Sequence, residues 1–302
     1  MKVIVTGGCG FIGSHIVDKL VELKHQVLVI DDLSASENEQ FYFNEKAEYH
    51  KIDICEKEKI ESLFDGVDYV FHLAAESRIQ PAIKNPSRAY NVNVIGTLNI
   101  LELSRKYKIK RIMYSSTSSV YGLTNELPTS EFTKIDCLNP YAHSKYTGEE
   151  LFRQYWKEYK VDSVVFRYFN VFGERSPIKG QYAPVVGIFL NQLKNNTDLT
   201  IVGDGLKKRD FIYVGDIVAA NIDAMIYEGD LESKTINIGS GSNITIKEIA
   251  NLISNNQVHI DNRPGEAENT LADTTNAKNI LNFNPKTDVK EWIEKILKKN
   301  KI

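Results

Sequence analysis

Thr6-Gly7-Gly8-Cys9-Gly10-Phe11-Ile12-Gly13 decides the fold of this chain. It follows an apolar run, Lys2 to Thr6, that reads as a buried strand. It precedes Phe11 to Leu23, where Ile12, Ile16, Val17, Leu20 and Leu23 recur at helical spacing. Glycines at 7, 10 and 13 allow a tight turn, close approach to a pyrophosphate and a helix seated on a strand. The helix start then offers unpaired N–H groups and a positive dipole end to phosphate. The next strand, Gln26 to Ile30, runs into Asp31, 18 residues past Gly13, where an acid suits a ribose 2′-hydroxyl. Asp32 follows, and no Arg or Lys occurs between 31 and 45 to neutralise a 2′-phosphate. The expected cofactor is NAD rather than NADP.

Outward from this unit the rhythm continues. Tyr49 to Ile52, Tyr69 to Leu73, Arg111 to Ser115 and Ser163 to Arg167 read as strands, and Lys57 to Phe64, Pro86 to Tyr107 and Pro140 to Tyr159 as helices. Such alternation means βαβ units and a parallel sheet. After Phe169 the pattern changes to a loop (Glu174 to Gln181), a helix (Val185 to Lys194) and a strand with turn (Leu199 to Gly205). Gly215 to Tyr227 and Thr235 to Ile238 form a helix and strand expected to rejoin the sheet. The predicted architecture is an α/β fold: a Rossmann-type doubly wound parallel sheet with a smaller α/β C-terminal lobe. Residues 1–168 with about 211–239 form the dinucleotide domain, and 169–210 with about 240–302 the substrate lobe.

The chain has 302 residues, with 37 basic against 40 acidic side chains and a net charge of −3, which excludes the basic field of a nucleic-acid binder. Three cysteines without a C-x-x-C pair argue against a disulfide framework, and six scattered histidines against a metal site. No apolar run reaches the ~18 residues of a membrane span. A cytoplasmic protein with no membrane or nucleic-acid partner is expected.

The chemistry gathers at Tyr141-Ala-His-Ser-Lys145. Residues four apart share a helical face, and a nearby cation favours phenolate over phenol, giving a general base. The hydroxyl cluster Ser115-Ser116-Thr117-Ser118-Ser119 sits where a strand ends, at the sheet edge where substrate belongs.

These motifs resemble the extended short-chain dehydrogenase/reductase family, and within it the UDP-glucose 4-epimerase branch of nucleotide-sugar enzymes. Further matches are Asp53-Ile54, His72-Leu73-Ala74-Ala75, Asn93, Arg167-Tyr168-Phe169-Asn170, Arg209-Asp210-Phe211 and Arg263-Pro264-Gly265-Glu266. The resemblance implies Tyr141 as base, with Lys145 as its partner and holder of the nicotinamide ribose. Thr117 stands where the family has its catalytic serine. Gly7, Gly10, Phe11, Ile12, Gly13, Asp31, Asp32, Asp53, Ile54, Leu73, Ala74, Ala75, Asn93 and Tyr168 would line the NAD site. Ser116, Thr117, Asn170, Arg209, Arg263 and Thr270 would meet a UDP-sugar, with Asn170, Arg209 and Arg263 on its diphosphate. The implied reaction is 4-epimerisation through a 4-keto sugar.

Dehydratases of the family carry an Asp-Glu pair, and UDP-glucuronate decarboxylases a Glu, where this chain has Ser118 and Ser119. That disfavours both. A non-catalytic NAD sensor would not need the remaining motifs. Thr270 falls where strict UDP-glucose enzymes have a tyrosine, so UDP-GlcNAc and UDP-GalNAc are expected to fit. The helices Pro86 to Tyr107 and Pro140 to Tyr159 are those the family pairs into a homodimer.

Overall fold

Val3, Ile4 and Val5 are all fully buried because strand β1 (Lys2–Thr6) runs inside a sheet covered on both faces. The computed structural model describes residues 1–35, 40–124, 126–178, 184–261 and 267–300. In chain order β1 is followed by α1 (Phe11–Glu22), β2 (Gln26–Ile30), β3 (Glu48–His50), α2 (Lys57–Ile60) and β4 (Tyr69–His72). Next come α3 (Ile79–Lys84), α4 (Pro86–Tyr90), α5 (Thr97–Lys106), β5 (Arg111–Thr117), α6 (Pro140–Tyr159), β6 (Ser163–Tyr168) and β7 (Asn170–Phe172). Then follow α7 (Val185–Lys194), β8 (Leu199–Val202), β9 (Lys208–Arg209), β10 (Phe211–Tyr213), α8 (Val214–Ile226) and β11 (Lys234–Ile238). The last elements are β12 (Ile244–Thr245), α9 (Ile246–Ile253), β13 (Gln257–Ile260), α10 (Thr275–Leu281) and α11 (Val289–Asn300).

Seven strands form one parallel sheet in the order β11-β6-β5-β4-β1-β2-β3. Alternate residues feed opposite faces. Val3, Val5, Val27 and Val29 pack under α1 and α8, whereas Ile4, Leu28, Ile30 and Tyr114 meet Ile100, Leu101 and Phe152 of α5 and α6. Strand order reverses between β1 and β4, which opens a crevice at their carboxyl ends. A third apolar cluster (Phe172, Phe189, Ile201, Ile249, Trp292, Ile293) joins α7, α9 and α11 beyond β6.

The strand over 234–238 does rejoin the sheet beside β6. Two expected helices differ. The helix from Lys57 stops at Ile60 and tightens to a narrower turn through Phe64. The single helix expected over 86–107 is α4 and α5 separated by a wide π-type turn, Asn91–Gly96. Within that turn the Asn93 side chain bonds the Glu76 backbone and Ser144, and Thr97 Oγ1 donates to the Asn93 carbonyl (2.8 Å). Wide turns of this kind recur at functional sites.

Candidate active site

A cleft of about 330 Å³ lies over the carboxyl ends of β1, β2, β4, β5 and β6. Its floor needs glycine. Gly7 has φ +70°, and a Cβ there would stand 2.7 Å from Ala74 N; a Cβ on Gly13 would stand 2.2 Å from Gly7 O. Helix α1 begins at Gly10 with no side-chain cap and no acid in its first turn. That leaves its N–H groups and dipole directed at phosphate, so the residues present fit a dinucleotide. Gly7, Gly10, Phe11, Ile12, Gly13, Asp31, Asp32, Asp53, Ile54, Leu73, Ala74, Ala75, Tyr141, Lys145 and Tyr168 all line this cleft. Asn93 does not: fully buried, it braces the wall from behind through Glu76 and Ser144.

At one end Asp31 accepts the Cys9 and Leu33 N–H groups, both at 2.9 Å. Burial raises its pKa against those bonds, and burial likewise pushes the Cys9 thiol to about 12, leaving it unreactive. The stretch 31–45 lacks cations, but space supplies one: Arg88 pairs with Asp32 (2.9 Å) and Asp53 (2.7 Å). Burial would raise Asp53, yet the Cys55 N–H and Arg88 outweigh it and hold the carboxyl below its ordinary range.

At the other end Asn139 caps α6 by accepting Ala142 N–H, with Pro140 at the first helical position. This sets Tyr141 and Lys145 in the cleft. Burial raises the Tyr141 pKa; a hydrogen bond with Thr117 and the charge of Arg78 pull it back. Lys145, the cation expected beside Tyr141, lines the same cleft. Its ammonium sits 4.2 Å from the centre of the Tyr114 ring, and burial brings it down to about 7 against the opposing charge of Glu149. Arg78, which also lines the cleft, had no motif to announce it.

Beneath both ends runs a buried chain with one direction. Thr97 donates to the Asn93 carbonyl, so His72 Nε2–H donates to Thr97 (2.9 Å) and Nδ1 accepts from Thr6 (2.8 Å). Thr6 Oγ1 in turn accepts Ala74 N–H (3.2 Å). Burial holds His72 down at about 3, hence neutral.

Ser116 also lines the cleft, and its hydroxyl donates to Glu149 (2.5 Å) on the wall behind. Glu149 is fully buried and forked with Arg167 at 3.0 and 2.6 Å. Arg167 continues to the Tyr121 hydroxyl (2.9 Å) and Tyr121 to Asn237 (2.6 Å).

A second cavity, about 530 Å³, shares Val171 and Pro184 with the cleft. Ser118, Ser119, Asn139, Asn170, Lys207, Arg209 and Thr270 line it, and no carboxylate stands among its described lining residues. Arg209 Nη1 donates to the Lys208 and Glu268 carbonyls. Asn170 Nδ2 donates to the Asp210 carbonyl (2.8 Å) and Thr270 Oγ1 (3.2 Å), so its donors are spent inside the protein rather than offered to a diphosphate. Buried Asp210 draws in Ser240, Gly241 and Ala272 N–H, fixing the segments on either side of Arg209 and Thr270. Arg263 lies outside the described residues. Lys207 was missed; nothing in its local spacing distinguishes it from a surface lysine.

Among the described residues no helix is long and apolar enough to cross a membrane. Residues 3–239 match the NAD dependent epimerase/dehydratase family. A putative UDP-glucose 4-epimerase from Methanocaldococcus jannaschii is 37% identical, covering 98% of this chain and 97% of its own. A Thermotoga maritima UDP-glucose 4-epimerase structure with UDP-glucose superposes at TM-score 0.92, 35% identity and 100% of both chains. A UDP-N-acetylglucosamine 4-epimerase from Methanobrevibacter ruminantium M1, in complex with UDP-N-acetylmuramic acid, superposes at 0.91 with 34% identity over 98% and 97%. The chain thus belongs to the NAD dependent epimerase/dehydratase family, of the extended short-chain dehydrogenase/reductase type.

Proposed function

We propose that the protein interconverts 4-epimers of UDP-hexoses, UDP-glucose with UDP-galactose and UDP-GlcNAc with UDP-GalNAc, through a 4-keto sugar. One observation carries the reading: Tyr141 and Thr117 stand in the cofactor cleft, and the adjoining cavity offers Ser118 and Ser119 where elimination or decarboxylation would need acids. NAD, held over Gly7–Gly13, Asp31 and Lys145, supplies reversible oxidation at carbon 4. Tyr141 takes the proton from the 4-hydroxyl and later returns it. Thr117, hydrogen-bonded to the phenol, holds the same oxygen, and the Arg78 charge favours phenolate. Arg209 and Lys207 grip the diphosphate by charge. With no carboxylate among the described residues lining that cavity to anchor its ring, the hexose is free to turn and present its other face.

Thr270 supports the N-acetylated pair, because a threonine leaves room that a phenol would fill. It caps no helix, since α10 starts at Thr275. The homodimer reading gains from Tyr90, Ile95 and Tyr159, apolar residues left exposed on the 86–107 stretch and α6. Three free thiols suit a cytoplasmic setting. A panel of UDP-sugars incubated with the protein, its products identified by NMR, tests the reading. Epimers as the sole products support it; a 4-keto-6-deoxy sugar or a pentose overturns it.

A further inference from the structure

Arg88 has no part in the chemistry above, yet three loops meet on it. It stands in α4, whose start is fixed by Asn85 accepting the Arg88 N–H (3.1 Å) and by Pro86 in the first turn. Its guanidinium reaches Asp32 at 2.9 Å, Asp53 at 2.7 Å and Glu76 at 3.5 Å. These acids follow β2, β3 and β4, and all four side chains line the cofactor cleft. Asn93 fixes the Glu76 backbone with two hydrogen bonds, at 2.8 and 3.1 Å. Without a cation the three carboxylates would repel and spread the loops that carry them. A planar guanidinium can serve several carboxylates at once, and an ammonium on a flexible stem does so poorly.

We infer that Arg88 is a positioning residue for the dinucleotide: by tying Asp32, Asp53 and Glu76 together it holds the loops after β2, β3 and β4 at the spacing that retains NAD. The cation is committed to protein carboxylates, and a 2′-phosphate would meet Asp31 and Asp32, so the same clamp maintains the preference for NAD. The inference rests on the NAD site alone and is independent of which sugar nucleotide is turned over.

The test strips NAD from the full-length wild type, Arg88→Ala and Arg88→Lys, then titrates each with NAD by calorimetry and records the melting of the stripped proteins. The ion-pair side chains are 23–32% exposed and partly screened, so Arg88→Ala should raise the NAD dissociation constant roughly tenfold, with cooperative melting kept. Arg88→Lys should raise it less, because the charge stays and the fork is lost. An unchanged dissociation constant in Arg88→Ala overturns the inference. Should Arg88→Ala fail to melt cooperatively, Arg88→Lys decides: weaker NAD binding supports the clamp, and wild-type affinity assigns Arg88 to folding alone.

Discussion

The cofactor cleft is smaller than the neighbouring cavity, about 330 against 530 Å³, and it is the more heavily braced of the two. Behind the cleft stand fully buried His72, Asn93 and Glu149, each bonded on more than one side. The larger cavity is lined by partly exposed Asn170, Arg209 and Thr270, held mainly through backbone carbonyls and Asp210, and by Lys207, which pairs with Glu268 (3.5 Å). The difference suits an epimerase. The oxidising groups must be fixed to within tenths of an ångström, while the sugar must turn between two half-reactions.

The sharpest way to break the comparison is Tyr141→Phe. Losing a positioned base should cut turnover by about 10²–10⁴, with NAD content largely kept because Thr117, which bonds the phenol, is also held by Ser119. Near-normal turnover would put the base elsewhere. Next in size, Arg209→Ala removes a charge-assisted partner worth about 1.5–3 kcal/mol. Steady-state kinetics should show a raised KM with kcat and NAD content largely kept; loss of NAD would move Arg209 to the cleft. Smaller again, Thr270→Tyr should lower kcat/KM for UDP-GlcNAc relative to UDP-glucose by about 1–3 kcal/mol. The ratio is the useful readout, because the change also removes the acceptor for Asn170 and Asp210 N–H. An unmoved ratio excludes Thr270 as the gate.

A further effect is on stability. His72 is held at about 3, below its value near 6.5 in an unfolded chain. Between those values the unfolded state binds the extra proton, so stability falls as pH drops from about 6.5 towards 3. Thermal melting across that range should show the decline, and His72→Gln should flatten it. An identical slope in the variant would remove His72 as its source.

Legibility in the sequence followed distance along the chain. The glycine turn, Asp31 and the Tyr141–Lys145 pair were readable because neighbours within one turn or one strand end are also neighbours in space. Arg88, Arg78 and Lys207 were not, since folding brings each to its site from a separate loop or helix. The bond from Ser116 to Glu149 was not legible either, for a different reason. The strand expected to end at Ser115 continues to Thr117, which carries the Ser116 hydroxyl to Glu149 on α6 while Ser116 and Thr117 both line the cleft. The long helix over 86–107 kept its extent, but its wide turn answers to Asn93 and Glu76, a tertiary contact that no period of apolar residues records.

The central claim is that carbon 4 is oxidised and reduced on NAD the protein already holds. UDP-glucose deuterated at carbon 4, given to the purified protein with no added cofactor and followed by NMR, tests it most directly. The expected product is UDP-galactose that keeps its deuterium at carbon 4. Deuterium lost to solvent, or no galactose product with NAD bound, would contradict it.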